Sequence, residues 1–132
     1  MEDIYRRSAT TVSYLCYHFV FCPKYRRRIF LIPEVEERFK FWTRQTCQQN
    51  DIEILAMECH IDHVHLFLNT PPKMSPAEIM KIIKGGTSHK LRDEFEFLSR
   101  MTSLWTRSYF VSTAGQVSAE TIQRDVETQK TR

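Results

Sequence analysis

The sequence predicts an α+β fold whose elements follow the order strand, helix, strand, strand, helix, strand. Three observations lead to this prediction. An aromatic and β-branched run from Val12 to Cys22 is typical of a strand, and apolar residues at helical spacing follow Pro33. Two later apolar runs, from Ile52 to Cys59 and from His63 to Thr70, are close enough to form a tight antiparallel hairpin. This is the β-α-β-β-α-β pattern of a ferredoxin-like antiparallel sheet, with one helix appended at the C-terminus.

Prolines mark the ends of several elements. Pro23 ends the first strand, because proline has no N–H to donate to a neighbouring strand. Pro33 suits the first turn of a helix, which is predicted to run from Pro33 to about Gln49. We expect His60-Ile61-Asp62 to form the hairpin turn, and Pro71-Pro72 to end the strand that follows it.

The second half of the chain contains more helix. Ser75-Pro76-Ala77-Glu78 has the form of a capping box and predicts a helix start. Gly85-Gly86 is expected to interrupt this helix, which would resume from Thr87 to Phe97. The segment from Ser103 to Ser112 is expected to contain the last strand. A final helix is predicted from Ala119 to about Gln129, capped by Ser118.

Composition places the chain among ordinary globular proteins. Its 132 residues, 42% hydrophobic and 27% charged, suit one domain spanning residues 1–132. There is no run of about 18 apolar residues and no signal-like start, so we expect no membrane association and a cytoplasmic location. The cysteines lie far apart without a Cys-x-x-Cys pair and are expected to be reduced thiols: Cys16, Cys22, Cys47 and Cys59.

Positive charge is concentrated in one loop. The net charge is only +3, yet Lys24, Arg26, Arg27 and Arg28 fall within five consecutive positions. Such a cluster can neutralise several phosphates of a nucleic acid. A solvated basic loop without a ligand is the alternative interpretation.

Two histidines alternate along the third predicted strand. Because side chains of a strand point to opposite faces in turn, His63, His65 and Phe67 share one face. On the open face of the sheet, the two imidazoles could bind one divalent cation. A structural zinc site that adds Cys59 and His60 is an alternative, although its spacing matches no common zinc finger.

The last predicted helix carries a second polar pair. Ile122, Asp125, Val126 and Gln129 share one helical face, so Asp125 and Gln129 lie within an otherwise apolar stripe. The pair could face a polar site. On these residues alone, a surface helix whose polar groups merely flank the stripe is the favoured interpretation.

Four segments in this order and spacing resemble one family. They are Tyr17-His18-Phe19-Val20-Phe21, Lys24-Tyr25-Arg26-Arg27, Asp62-His63-Val64-His65-Leu66, and the stretch from Thr121 to Gln129. Together they resemble the single-tyrosine transposases of the smallest bacterial and archaeal insertion sequences, which carry a His-hydrophobe-His (HUH) motif. The resemblance extends from about Tyr5 to Gln129.

The resemblance implies a homodimer with a ferredoxin-like core that binds imperfect DNA hairpins and cuts only single strands. It implies that His63, His65 and Gln129 hold Mg²⁺ or Mn²⁺ at the scissile phosphate. A tyrosine one helical turn before that glutamine would attack the phosphorus, forming a covalent 5′-phosphotyrosine and a free 3′-hydroxyl. Lys24 and Arg26–28 would contact DNA.

This sequence departs from the family at the nucleophile, because Asp125 occupies the position of the tyrosine. Aspartate attack would give an acyl phosphate, which water hydrolyses readily, so we expect DNA binding without normal strand cleavage. Asp125 could instead be an additional metal ligand, and Tyr109 or Tyr5 could substitute as nucleophile. A different class, a non-catalytic single-strand or RNA-binding module that stacks bases on Phe67, remains the main alternative.

Overall fold

The computed structural model of the protein describes residues 3–113. The predicted C-terminal helix, with Asp125 and Gln129, lies outside the described residues. In chain order the elements are β1 (Arg6–Arg7), β2 (Val12–Ser13), β3 (Leu15–Phe21), α1 (Pro33–Gln49), β4 (Glu53–Cys59), β5 (Val64–Thr70), α2 (Pro76–Glu94), α3 (Glu96–Ser99) and β6 (Phe110–Thr113).

The main sheet has four strands in the order β4-β5-β3-β6, and every neighbouring pair is antiparallel. With α1 between β3 and β4, and α2 between β5 and β6, this is the predicted ferredoxin-like arrangement. The prediction of the fold class is therefore confirmed.

The predicted first strand is not continuous. Residues 12–13 form β2, which pairs with β1 in a separate two-stranded sheet, and β3 begins only at Leu15. Arg6 fastens this small sheet to the main one, since its Nε donates to Asn69 Oδ1 at 3.0 Å and its Nη1 to Asp51 Oδ2 at 2.9 Å. The prediction was wrong because a local β pattern does not reveal which partner a strand pairs with.

Helix α1 has the predicted bounds, with a proline in its first turn. Helix α2 begins with the predicted capping box, in which Glu78 N–H donates to Ser75 Oγ at 3.1 Å. It then continues through Gly85-Gly86 to Glu94, so the predicted interruption was wrong, whereas the piece predicted from Thr87 to Phe97 is helical except at Phe95, as parts of α2 and α3. A Cβ at Gly86 would lie 3.3 Å from Thr46 Oγ1 of α1, so glycine permits close helix packing here.

The hydrophobic core lies between the two long helices and one face of the sheet. The strands contribute Phe19, Phe21, Val64, Leu66 and Leu68, and the helices contribute Val35, Phe39, Ile79, Ile83 and Leu91. Trp105 joins this core, and strand β6, which the segment from Ser103 to Ser112 was expected to contain, begins at Phe110. The alternating apolar residues of β5 therefore point towards the core, as predicted, and the opposite face of the sheet carries the histidines.

Other expectations concern cysteines and membranes. All four cysteines are free thiols, as predicted. Among residues 3–113, the helices lack the combination of length and apolar character that crossing a bilayer requires.

Candidate metal centre and nucleic-acid interface

The β4–β5 hairpin brings two histidines face to face. Its last regular pair is Cys59 opposite Val64, and His60 N–H donates to His63 O at 2.8 Å just beyond it. Because cross-strand partners share a face, the His60 and His63 rings stack, with centroids 4.4 Å apart. As predicted, His60, Ile61 and Asp62 lie between the two strands, and Ile61 and Asp62 are the central turn residues.

His65 completes a cluster with these two histidines. Its ring centroid lies 5.1 Å from that of His63 and 5.4 Å from that of His60. One ring nitrogen from each of the three residues lies within 4.8 Å of the others, and within residues 3–113 this is the group that could hold a metal ion. The sequence thus correctly predicted that His63 and His65 lie close together, whereas only the hairpin register shows that His60 lies beside them.

Cys59 does not join this cluster. Its side chain packs against the hydrophobic core, and burial raises the pKa of its thiol to about 12. A thiol that is protonated at neutral pH is a poor zinc ligand. The four-residue zinc site considered from the sequence is therefore not assembled.

His65 is buried, with 3% of its surface exposed, and not on an open face as expected. Burial, together with the neighbouring His18, His63 and His60, lowers the pKa of its imidazole to about 4. The ring is therefore neutral at pH 7 and keeps a lone pair for a cation. Its Nδ1 lies 3.0 Å from His18 Nε2, whereas its buried Nε2 has no hydrogen-bond partner in the part of the chain that the structure describes.

His18 is a site residue that the sequence analysis assigned no role. It is 5% exposed and stacks on Phe67, with ring centroids 4.2 Å apart and nearly parallel planes. If His65 binds a cation through Nε2, its proton is on Nδ1 and is donated to His18. The register that sets His18 opposite Phe67, two residues from His65, is the signal that would have found it.

Asp62 orients the other histidine of the motif. Its Oδ1 lies 2.8 Å from His63 Nδ1, and its Oδ2 lies 3.3 Å from Arg26 Nε. The hydrogen bond with His63, followed by the contact with Arg26, lowers the pKa of the Asp62 carboxyl. This arrangement leaves His63 Nε2 for a ligand, as carboxylate–histidine pairs do in metal sites.

The basic loop lies beside the hairpin turn. Phe30 N–H donates to Ile61 O at 3.4 Å, and Arg26 contacts Asp62, so loop and turn are held together. Arg26, Arg27 and Arg28 are exposed. Tyr25 is 75% exposed and has a left-handed φ of 61°, which is uncommon for a large side chain.

A groove of about 880 Å³ extends from this loop along α2. Its basic lining residues are Lys24, Lys81, Lys84 and Arg107. Lys84 Nζ donates to Ser108 O at 3.2 Å, and burial lowers the pKa of its ammonium group. Lys81 and Lys84 lie at i and i+3 on α2, a spacing that is visible in the sequence. Only the structure shows that they line the same groove as Lys24.

Phe67 does not fit the role that the alternative function required. It is 3% exposed, and its ring stacks against His18. A nucleic-acid base cannot stack on a ring that is already covered in this way. The observation disfavours a binding module that uses Phe67.

A ferredoxin-like sheet, with the histidine pair of the sequence motif at the start of its central strand β5, is the arrangement expected of the class of transposases that the sequence resembles. Comparison with known proteins agrees with this class. The profile of IS200-like transposases matches residues 11–129. The transposase for insertion sequence element IS200 of Salmonella typhimurium is 38% identical over 107 residues, which are 79% of this chain and 70% of that protein.

A curated relative and a solved structure from Deinococcus radiodurans extend the comparison. The ISDra2 transposase TnpA is 31% identical over 121 residues, covering 89% of this chain and 86% of the relative. The crystal structure of a transposase from strain R1 has a TM-score of 0.77 and 30% identity, covering 94% of this chain and 97% of that one. The chain belongs to the family of IS200-like transposases.

A more distant structure shares the fold. It is a REP-associated tyrosine transposase bound to a REP hairpin, with a TM-score of 0.62 and 14% identity. It covers 91% of this chain, which in turn spans 68% of that protein. At this identity the likeness concerns the fold alone.

Proposed function

We propose that this protein binds hairpin-bearing single-stranded DNA and a divalent cation as a transposase does, but that it lacks the transposase nucleophile. The observation that carries the proposal is the histidine cluster, with His65 buried in it, beside a basic loop. The proposed cation ligands are His63 and His65, with Gln129 of the C-terminal segment as implied by the family.

The donor set fits a divalent cation. His65 is neutral because burial lowers its pKa, and its Nε2 has no hydrogen-bond partner within residues 3–113. Asp62 and His18 bind the Nδ1 atoms of His63 and His65, so both Nε2 atoms are available. When bound, Mg²⁺ or Mn²⁺ would polarise the scissile phosphate and stabilise its developing charge.

DNA binding is proposed for the basic loop and the adjoining groove. Lys24, Arg26, Arg27 and Arg28 supply the loop charges, and the groove adds lysines of α2. Phosphate contacts by such side chains carry affinity without reading sequence. The hairpin-bound structure of the distant relative with the same fold supports a hairpin as ligand. A homodimer is proposed from the family resemblance.

Asp125 defines the expected defect. A phosphotyrosine ester can be reversed by a 3′-hydroxyl, whereas an aspartyl phosphate is lost to water. The protein should therefore bind its DNA without forming a stable covalent intermediate. Tyr109 is a weak substitute, since its ring packs partly against the core, 6.3 Å from the ring of Phe19.

The test uses a labelled single-stranded hairpin oligonucleotide and Mg²⁺ or Mn²⁺. Asp125→Tyr should form a protein–DNA adduct that survives denaturation, and the unmodified chain should form none. Asp125→Phe is the matched control, because it supplies the ring without the hydroxyl. An adduct from the unmodified chain would contradict the proposed defect. Absence of an adduct from Asp125→Tyr, despite intact DNA and metal binding, would contradict the assigned nucleophile position.

A further inference from the structure

We propose that His60 is a third imidazole ligand of the metal centre, and that this chain therefore selects first-row transition ions over Mg²⁺. The inference rests on the proposed function, because it concerns the same site, but it adds a ligand and an ion preference. Neither the HUH motif nor the ligand set implied by the family includes this residue.

The position of His60 in the β4–β5 hairpin supports its role as a ligand. The hydrogen bond between His60 N–H and His63 O fixes the backbone of His60 directly across the hairpin from His63. Both side chains then point to the face that carries His65, because Cys59 and Val64, the adjacent pair, point towards the core. The hairpin register therefore delivers three imidazoles to one place.

The distances between the nitrogens of the three imidazoles also support a shared ion. One nitrogen from each ring lies within 4.8 Å of the other two. Nitrogens that share an ion at about 2.0–2.1 Å are about 3.0–3.4 Å apart in a facial or tetrahedral arrangement. The rings thus need to converge by up to about 2 Å, and His60 and His63 are only partly buried at this end of the hairpin.

The ligand chemistry of imidazole supports the preference for transition ions. Imidazole suits transition ions such as Co²⁺, Ni²⁺ and Zn²⁺, whereas Mg²⁺ prefers oxygen ligands and keeps several waters. Each added imidazole therefore favours the transition ion more than Mg²⁺. Three histidines also leave coordination positions open for a phosphate oxygen, as in catalytic His₃ sites.

The test measures ion binding by the full chain. Co²⁺ binding is followed by its visible absorption, Mn²⁺ binding by electron paramagnetic resonance, and Mg²⁺ binding by competition with Mn²⁺. We expect His60→Ala to weaken Co²⁺ binding by about tenfold or more and Mg²⁺ binding by less than about threefold. His89→Ala, which removes an exposed histidine of α2, should change neither.

Two measurements keep the test decisive if His60→Ala folds poorly. His60→Gln keeps a polar side chain with an oxygen donor, and it should lose Co²⁺ affinity while retaining Mg²⁺ affinity. Pulsed electron paramagnetic resonance of Cu²⁺ bound to the unmodified chain should count three imidazoles. A count of two, or Co²⁺ affinity unchanged in both His60 variants, would overturn the inference.

Failure of the proposed function gives a different result. If His63→Ala and His65→Ala bind every ion as the unmodified chain does, the HUH cation site itself is refuted. If those two variants lose binding while the His60 variants do not, the cation site stands and only the role of His60 is refuted.

Discussion

Replacement of His18 by phenylalanine tests whether this residue positions His65 for cation binding. Phenylalanine can keep the stack on Phe67, whose ring centroid lies 4.2 Å away, but it removes the acceptor 3.0 Å from His65 Nδ1. Without a metal, moving the His65 proton to Nε2 brings no relief, because that buried nitrogen has no hydrogen-bond partner within residues 3–113. With a metal on Nε2, the proton must be on Nδ1 and would be buried without its acceptor.

The expected loss of metal affinity follows from removal of the partner that holds the His65 ring in place. An unsatisfied buried donor costs about 1–3 kcal/mol, and loss of a partner behind a metal ligand lowers affinity by about 10- to 100-fold. We therefore expect His18→Phe to weaken Mn²⁺ binding by about 10- to 100-fold, measured by titration calorimetry. The thermal midpoint of the metal-free protein should also fall, because the buried His65 N–H loses its acceptor there as well.

Two variants serve as controls. Tyr17→Phe alters the neighbouring residue, which packs towards the core on the opposite face, and should leave metal affinity unchanged. His18→Gln restores a carbonyl acceptor and should recover part of the lost affinity. Metal binding by His18→Phe equal to that of the unmodified chain would refute the positioning role.

Three further predictions concern the DNA-binding loop, helix α2 and the pH dependence of stability. Replacing Arg26, Arg27 and Arg28 by alanine should weaken binding to a single-stranded hairpin, measured by fluorescence anisotropy. The slope of log affinity against log salt should decrease in magnitude by about 2, because each phosphate contact to a single strand contributes about 0.7. An unchanged slope would identify the loop as ordinary solvated surface. Gly85→Ala, where the new Cβ meets open space, should raise the free energy of unfolding by about 0.5–1 kcal/mol in denaturant unfolding. Gly86→Ala should raise it less, because its Cβ would lie 3.3 Å from Thr46 Oγ1. Equal increases would contradict the packing argument. In chelator-treated buffer, stability should fall as the pH falls from about 6.5 towards 4, because the folded pKa of His65 is lowered to about 4 and the unfolded chain takes up the proton first. His65→Gln should show a shallower fall over that window, and an identical fall would exclude His65 as its source.

Much of the fold was accessible from local pattern. The periods of apolar residues identified the main helices and strands in order, and the capping box at Ser75 marked the start of α2. The alternation in β5 separated His65 from the core residues on either side of it. These features depend on neighbours in the chain, so one sequence is enough to read them.

Two structural expectations failed where pairing or packing decided the outcome. The pattern beginning at Val12 could not show that β2 pairs with β1, since a strand's partner lies elsewhere in the chain. Gly85-Gly86 lowers helix propensity by about 1 kcal/mol per residue, yet α2 continues because it packs closely on α1. Tertiary contacts outweighed local preference in both places.

The candidate site divides in the same way. Its HUH histidines and basic loop are evident in the sequence, because spacing along one strand and charge along one loop are local properties. His60 and His18 joined His65 only through the registers of β4–β5 and β3–β5, which bring residues from three strands onto one face. Register follows from the packing of the whole sheet against its helices, because a shift of one residue would reverse every side chain. For that reason the sequence alone determined the pair of histidines, and only the tertiary structure decided what surrounds them.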